Sequence, residues 1–572
     1  MDFGFWTRPP RDYLLRRSRR ANSDDFSENL KSKIQNPKSP PPLWPSLLLC
    51  AAAALWIDFS KIHQSHHADS LLPALVSLYR WTPFYWELDR IGMLVPLVAC
   101  PIKHPLANLL MQDFFYLFGG LTALFLLPRY MLRNATYPAV GALSVAALIG
   151  LTPPYYRFEY LIDTQYGLWL SLGIGGLILL EPDRRGVIPM GRRVTAVLLM
   201  ILAHWCYCTA ALFLGPLVVF RWLAFRSRQR PAAQEQRGLR LLASSELAAS
   251  LATLAIGVGI GLALMRLAPI QSTDFGTLPM SQWWQTWREL IAASWQALAP
   301  QWWPGCLAIC GGAGALATIY LRRARGVGPA WRGAAALAAA ACTLGAFMAT
   351  RQWVAMNGHN FRFLLVPALF LQTALVSLVV APFMAHCARV GGRLETASLA
   401  AIVLLSAAYA FGFPSLRRVH CYVAGAPGDI DDDKSPVEIR TAEVLASRST
   451  HVAGGYWNVW PMVFRTKLAL FERGEARRVW GISERSLPTM HQWKGIARSQ
   501  MRLAVAAGDE DAAQAFFAHY GLLPLTITER YTSLSVYQPA EIKVVPALVA
   551  GRPTLNQPGT RPGATAGRSR PN

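Results

Sequence analysis

The sequence predicts an α-helical multi-pass membrane protein of about eleven transmembrane helices, followed by a small C-terminal α/β domain on the outer side. Three observations carry this expectation. Hydrophobic residues make up 53% of the 572 residues and charged residues only 16%, a membrane composition rather than a soluble one. Apolar runs of near-spanning length recur between residues 43 and 414 and then stop. Lys and Arg gather in every second loop between those runs, as they do in cytoplasmic loops.

The formal net charge is +23. Such an excess usually raises a nucleic-acid partner. Here the Arg residues lie between apolar runs, which fits anchoring to membrane lipids at an anionic leaflet and no nucleic acid. The nine Cys are scattered and suggest no disulfide framework. Cys306 and Cys310 lie in an apolar run without His or Cys neighbours, which argues against zinc there.

Residues 1–42 are polar and basic and end in NPKSPPP. No apolar segment in the first thirty residues reads as a cleavable signal. The expectation is a disordered cytoplasmic arm, with Arg16, Arg17, Arg19 and Arg20 near lipid head groups. Apolar runs follow at 43–57, 106–128, 136–152, 164–180, 194–208, 209–225, 246–267, 303–321, 331–350, 362–386 and 396–413. Most approach the roughly 20 residues that a spanning helix needs. The stretch 194–225 is one long run, split at Trp205–Thr209; one tilted helix or two short ones both suit its length. Charge alternation supports two, because a single span there would reverse the pattern beyond residue 225. The topology places 58–105, 153–163, 268–302 and 351–361 on the outer side, together with everything after about 414. Six Trp between 283 and 303 mark 268–302 as an interfacial helix.

Residues 415–545 lose the long apolar runs. Short alternations predict a helix near 436–448, a strand near 478–483, helices near 490–507 and 510–519, and strands in LTITERY and SLSVYQP. The stretch HVAGGYWNVWPMVF joins a strand to a helix through Gly454–Gly455; packing is the plain reading, and close backbone approach to a sugar or phosphate is the functional one. Residues 546–572 are rich in Pro, Gly, Thr and Arg and read as a disordered tail.

Chemistry is concentrated in the first outer loop, DFSKIHQSHHADSLLPALVSLYRWTPFYWELDRIGMLVPLVACPIKHP. It is too polar to span a bilayer and too apolar for an ordinary exposed loop. Asp69 heads a helix-like run and can cap it, or can aim a carboxylate into a cavity above the bilayer. Asp89 can pair with Arg90 or act at the site. His63, His66 and His67 have helical spacing for a divalent metal, or form a solvated polar run. Arg90 and Lys103 add cations. The second outer loop, PPYYRFEYLIDTQYG, carries Arg157, Glu159 and Asp163. The late loop, RQWVAMNGHNFRFLLVP, carries Arg351, His359, Asn360 and Arg362. Both Arg can snorkel at the interface or hold a phosphate in a planar guanidinium fork.

This arrangement resembles the GT-C superfamily of bacterial membrane glycosyltransferases, which use polyprenyl-phosphate-linked sugars. The resemblance rests on the acidic first outer loop, on HNFRFLLVP as an Arg-aromatic-x-x-x-Pro opening of a span, on RIGMLVPLVACPIKHPLANLL, and on an outer soluble domain. It covers about 43–545 as architecture and only short pieces as motif. Many members carry adjacent acidic residues soon after the first span; here Asp69 is followed by Ser70. The resemblance implies inverting sugar transfer to a glycan, lipid or protein acceptor on the periplasmic face of the inner membrane. Asp69 or Asp89 would be the base, and Arg90, Lys103, Arg351 and Arg362 would meet the donor phosphate. Arg157, Glu159, His359 and Asn360 would contact substrate, and the need for a divalent metal stays open. A transporter or flippase, and a ligase or polymerase of envelope glycans, are the alternatives. The spans are nearly free of Asp, Glu and Lys, with Asp113 and Glu246 the main exceptions, which argues against transport.

Overall fold

The structure is a computed structural model. It describes residues 42–58, 68–84, 92–132, 136–163, 166–182, 187–226, 236–268, 276–299, 312–314, 316, 327–390, 392–412, 436–483, 496–519, 521–523 and 525–539. The N-terminal arm, the C-terminal tail, and His63, His66, His67, Asp89 and Arg90 lie outside them.

The helical part opens with α1 (Trp44–Asp58), then α2 (Ala68–Tyr79), α3 (Leu94–Ala99), α4 (Pro105–Leu132), α5 (Tyr137–Leu151) and the short α6 (Pro154–Phe158), which runs into a π turn at Glu159–Asp163. Next come α7 (Tyr166–Leu179), α8 (Met190–Cys206), α9 (Ala210–Arg226), α10 (Gln236–Arg266), α11 (Met280–Leu298), α12 (Val327–Met348) and α13 (Gln352–Met356). A 3₁₀ turn at Phe361–Leu364 leads into α14 (Leu365–Val390), and α15 (Gly392–Gly412) follows. Among the described residues, four helical stretches are long and apolar enough to cross a membrane: Pro105–Leu132, Glu246–Arg266, Ala330–Met348 and Phe361–Met384. Shorter apolar helices accompany them, including Trp44–Trp56, Tyr137–Gly150, Tyr166–Leu179 and Ala210–Phe225. The run 194–225 is divided between α8 and α9, with a turn at residues 207–209.

The centre of the bundle is α4, packed against α1, α5 and α7. Glycine sets the α4–α7 crossing. A Cβ at Gly167 would stand 2.1 Å from Gly120 Cα, and one at Gly119 would stand 2.7 Å from Leu168 Cα. Bare glycine lets the two backbones meet and gain dispersion contacts, which drive helix association in lipid.

One end of the bundle is closed by ions. Arg221 is buried and reaches Glu181 at 2.7 Å and Glu246 at 3.1 Å, while Arg129 reaches Glu181 at 3.2 Å. The Arg221 guanidinium lies 3.7 Å from the Tyr130 ring centroid. Removing one member of such a buried network costs several kcal/mol, so Glu246 joins α9 to α10 and belongs to the scaffold. His204 is likewise an interior residue: it is fully buried, its Nδ1 lies 2.8 Å from the Met200 carbonyl, and α10 packs over it at Gly257 and Gly261.

The last described residues form an α/β domain: α16 (Pro436–Ala446), β1 (His451–Ala453), α17 (Tyr456–Glu472), β2 (Trp480–Ile482), β3 (Leu503–Ala506), α18 (Glu510–His519), β4 (Leu525–Arg530) and β5 (Leu534–Pro539). The strand order is β2-β1-β3-β5-β4, with β1 parallel to β2 and β3, and β5 antiparallel to β3 and β4. One expectation fails here. Of the predicted helix at 490–507, residues 490–495 lie outside the described residues, and Leu503–Ala506 form β3 instead, all four of them buried. A short apolar run such as LAVA has no period that separates a buried strand from a buried helix; pairing to His451–Ala453 on one side and Leu534–Tyr537 on the other decides it.

Candidate active site

The end of the bundle opposite the ion network gathers four loops and the α/β domain. α2 packs on α4 and on the π turn at Glu159–Asp163, and α17 packs on α2 and α4. The late loop pairs with the residues just before α11 through an antiparallel bridge, Thr277 to Arg351. These are the segments that the alternation of loop charge puts on one side.

Asp69 lies in the first turn of α2, one residue inside the helix rather than at its cap. There a carboxylate is favoured by the helix dipole. It is half-buried. The hydroxyl of Tyr456, the first residue of α17, donates to Asp69 Oδ1 across 387 positions of sequence. A second hydroxyl bond joins the same elements: Tyr79 donates to the Val479 carbonyl at 2.8 Å, with its ring 4.8 Å from that of Trp480. Burial pushes the Tyr79 phenol pKa well up, against the Val479 bond and the Arg478 charge. Beneath α2 lies a polar cluster. Ser77 Oγ donates to Asn108 Oδ1 at 2.7 Å, Gln112 Nε2 donates to the same oxygen at 2.8 Å, and Asn108 Nδ2 holds the Ala99 and Ile102 carbonyls. It ties α2, α3 and α4 into one support for Asp69.

Lys103 is exposed and donates to the Cys100 carbonyl at 2.8 Å, closing the turn before α4. Arg157 is buried and donates to the Ile149 carbonyl at 2.7 Å, which seals the end of α5. Glu159 is only 1% exposed. Facing it at 4.0 Å is Nη1 of Arg362. The Arg362 guanidinium also donates to Asn357 Oδ1 at 3.3 Å and lies 4.9 Å from the Phe363 ring centroid. Asn360 caps the 3₁₀ turn, its Oδ1 accepting the Arg362 backbone N–H at 3.0 Å. His359 holds a left-handed backbone, φ 55°, directly after Gly358 at φ 67°. That conformation costs a non-glycine residue about 1–2 kcal/mol. Its Nδ1 lies 3.0 Å from Glu289 Oε2 on the Trp-rich α11. Arg351 opens α13 and sits 5.1 Å from the Phe347 ring centroid.

The structure therefore joins Glu159, Arg362, Asn360, His359 and Arg351 through neighbouring elements, and joins Asp69 to the α/β domain. Lys103 and Arg157 hold carbonyls of their own surroundings. Three contributors escape sequence reasoning: Tyr456, Glu289 and Asn357. Glu289 sits in a helix whose Trp pattern masks it. Asn357 stands in plain view in the NGHN turn. Tyr456 is marked only by Gly454–Gly455, and the reason for that pair is now visible: Gly454 has φ 145°, and a Cβ on it would stand 2.7 Å from Asp509 Oδ2. Asp509 in turn accepts from Asn458 Nδ2 at 2.9 Å. A groove of about 390 Å³ between α16 and α17, lined by Glu438, Thr441, Arg465 and Glu472, lies toward the other end of α17 from Tyr456. Among the described residues, no three His, Cys, Asp or Glu side chains are grouped as metal ligands.

No family model matches the sequence, and no curated protein matches it. Among solved structures, the chain is similar to the crystal structure of ArnT from Cupriavidus metallidurans bound to undecaprenyl phosphate. The identity is 12% and the TM-score 0.47, with 87% of this chain and 99% of that one covered.

Proposed function

We propose that this protein is a GT-C-type membrane glycosyltransferase. It moves a sugar from a polyprenyl-phosphate-linked donor to a glycan, lipid or protein acceptor on the periplasmic face of the inner membrane. The observation that carries the reading is that one end of an apolar bundle gathers a half-buried carboxylate in the first turn of α2 and a cationic late loop. Asp69 lies in the first turn of α2, α2 packs on the π turn that begins at Glu159, and Glu159 faces Arg362.

The chemistry follows from these groups. The acceptor hydroxyl gives its proton to an oxygen of Asp69 as its own oxygen bonds to the anomeric carbon. The bond from that carbon to the phosphate oxygen breaks with its electron pair, and polyprenyl phosphate departs. A single displacement of this kind inverts the anomeric centre. Arg362 meets the charge that grows on the phosphate, with Arg351 at the other end of the same loop. Glu159 faces the Arg362 guanidinium at 4.0 Å, and Asn360 holds its backbone. Lys103 and Arg157 each donate to a local carbonyl, so they rank behind Arg362 and Arg351 as partners of the donor and acceptor. Asp89 and Arg90 keep their sequence-based roles as second candidates for base and cation.

The test is Asp69→Asn in the full chain. A strain lacking the gene should accumulate a polyprenyl-phosphate sugar, and membrane vesicles from it supply the donor. Asn still accepts a hydrogen bond from Tyr456 and still suits the first turn, so insertion and yield stay normal. Turnover of the accumulated donor falls by about 10²–10⁴. Absence of any accumulated donor, or parent turnover in Asp69→Asn and also in Asp89→Asn, overturns the reading.

A further inference from the structure

We propose that the α/β domain is part of the transfer site and that Tyr456 is the positioning residue for Asp69; the inference rests on the reading of Asp69 as the base. The contact itself is direct: the Tyr456 hydroxyl donates to Asp69 Oδ1. The ring behind it is buried, 5% exposed, and packs edge-on to Trp457 with centroids 5.2 Å apart. A phenol so held is a fixed donor, and a fixed donor sets the plane of the carboxylate it binds.

The domain is built to hold that phenol in place. Tyr456 begins α17 immediately after the Gly454–Gly455 step. Gly454 is pressed on Asp509, and Asn458, one half-turn into α17, is bonded to the same carboxylate. Asp509 follows β3, so the start of α17 is pinned from two strands. The position in the sheet also has meaning. The chain leaves β1 through α17 to reach β2 on one flank, then returns to β3 on the other. Order reverses between β1 and β3, and open α/β sheets present their functional groups outside the carboxyl ends of the strands at such a reversal. Here that edge meets Asp69.

A simple interdomain tether would explain the same bond, and the molecule contains a control for it. Tyr79 to the Val479 carbonyl, at 2.8 Å, joins the same helix to the same domain without touching a carboxylate at the site. The full-length protein is assayed on vesicles holding the accumulated polyprenyl-phosphate sugar. Tyr456→Phe keeps the ring and removes only the donor. The expected result is parent yield, a melting temperature lowered no more than in Tyr79→Phe, and maximal turnover lowered about 10- to 100-fold, the loss of one hydrogen bond to a charged group. The half-saturating vesicle concentration stays unchanged, and Tyr79→Phe turns over at the parent rate. In an Asp69→Asn background, Tyr456→Phe lowers turnover no further. The inference is overturned by parent turnover in Tyr456→Phe, by equal losses in Tyr456→Phe and Tyr79→Phe, by additive losses with Asp69→Asn, or by a loss confined to yield. If Asp69→Asn alone keeps parent turnover, the base assignment fails first and takes this inference with it; if Asp69→Asn is impaired and Tyr456→Phe is not, only this inference fails.

Discussion

Arg362 faces Glu159 at 4.0 Å, with the carboxylate 1% exposed and the guanidinium side chain 24% exposed. The carboxylate is thus sealed inside the protein while the cation reaches toward the open end. A buried acid that faces a partly exposed Arg favours the charged guanidinium and sets its direction. Snorkelling alone has no need of such a partner.

Substitution at Arg362 separates those two roles. Arg362→Ala should lower turnover about 10²–10³-fold, and some yield should be lost as well, because Glu159 loses a facing cation. Arg362→Ala with Glu159→Gln should recover yield in membranes but not activity. Arg362→Lys keeps the charge and loses the fork, and should stay impaired. Full turnover by a normally inserted Arg362→Ala would leave snorkelling as the better account.

Sidedness is measured by reporter fusions. Fusions after Arg230 and Gly326 should report cytoplasm, and those after Ser281 and Gly455 should report periplasm. A cytoplasmic signal at Gly455 would remove the eleven-span arrangement and, with it, a periplasmic site.

The α4–α7 crossing gives a stability prediction. Gly167→Ala places a methyl 2.1 Å from Gly120 Cα and 2.6 Å from its nitrogen, contacts that only backbone movement relieves. Overpacking of this kind costs about 1–3 kcal/mol, read as a lower melting temperature of the detergent-solubilised protein. Gly215→Ala and Gly259→Ala meet nothing within 4 Å and, since Ala is the better helix former, should melt at or slightly above the parent. Equal melting of all three would mean that the crossing is looser than described.

The α/β domain should weaken in acid through His451. Burial holds this imidazole near a pKa of about 3, against an ordinary 6.5. Above pH 6.5 the ring is neutral whether the domain is folded or unfolded, and contributes no pH dependence. Below it the unfolded chain takes up a proton that the folded domain refuses, so stability drops as pH falls from about 6.5 toward 3. The slope approaches about 1.4 kcal/mol per pH unit for one proton. Denaturation of the full chain, followed by a probe in the domain, should show that slope, and His451→Asn should flatten it. An unchanged slope in the variant would assign the acid sensitivity to other groups.

Apolar run length and loop charge follow from the chain alone. An apolar run must be long to span hydrocarbon, and Arg must end in water, so the bundle, the break between α8 and α9 and the sharing of one end by loops 58–105, 153–163 and 351–361 were legible residue by residue. The same holds for α18, β4 and β5, whose alternation or capping is local. β3 was not legible, because a run of four buried apolar residues takes its conformation from its neighbours. The site divides in the same way. The residue types in HNFRFLLVP and at Asp69 announce charge chemistry by their presence in an apolar chain. Which carboxylate faces Arg362, and which hydroxyl holds Asp69, depend on contacts with no local signature. Tyr456 lies 387 positions from its partner, and only the packing of α17 on α2 brings the two together.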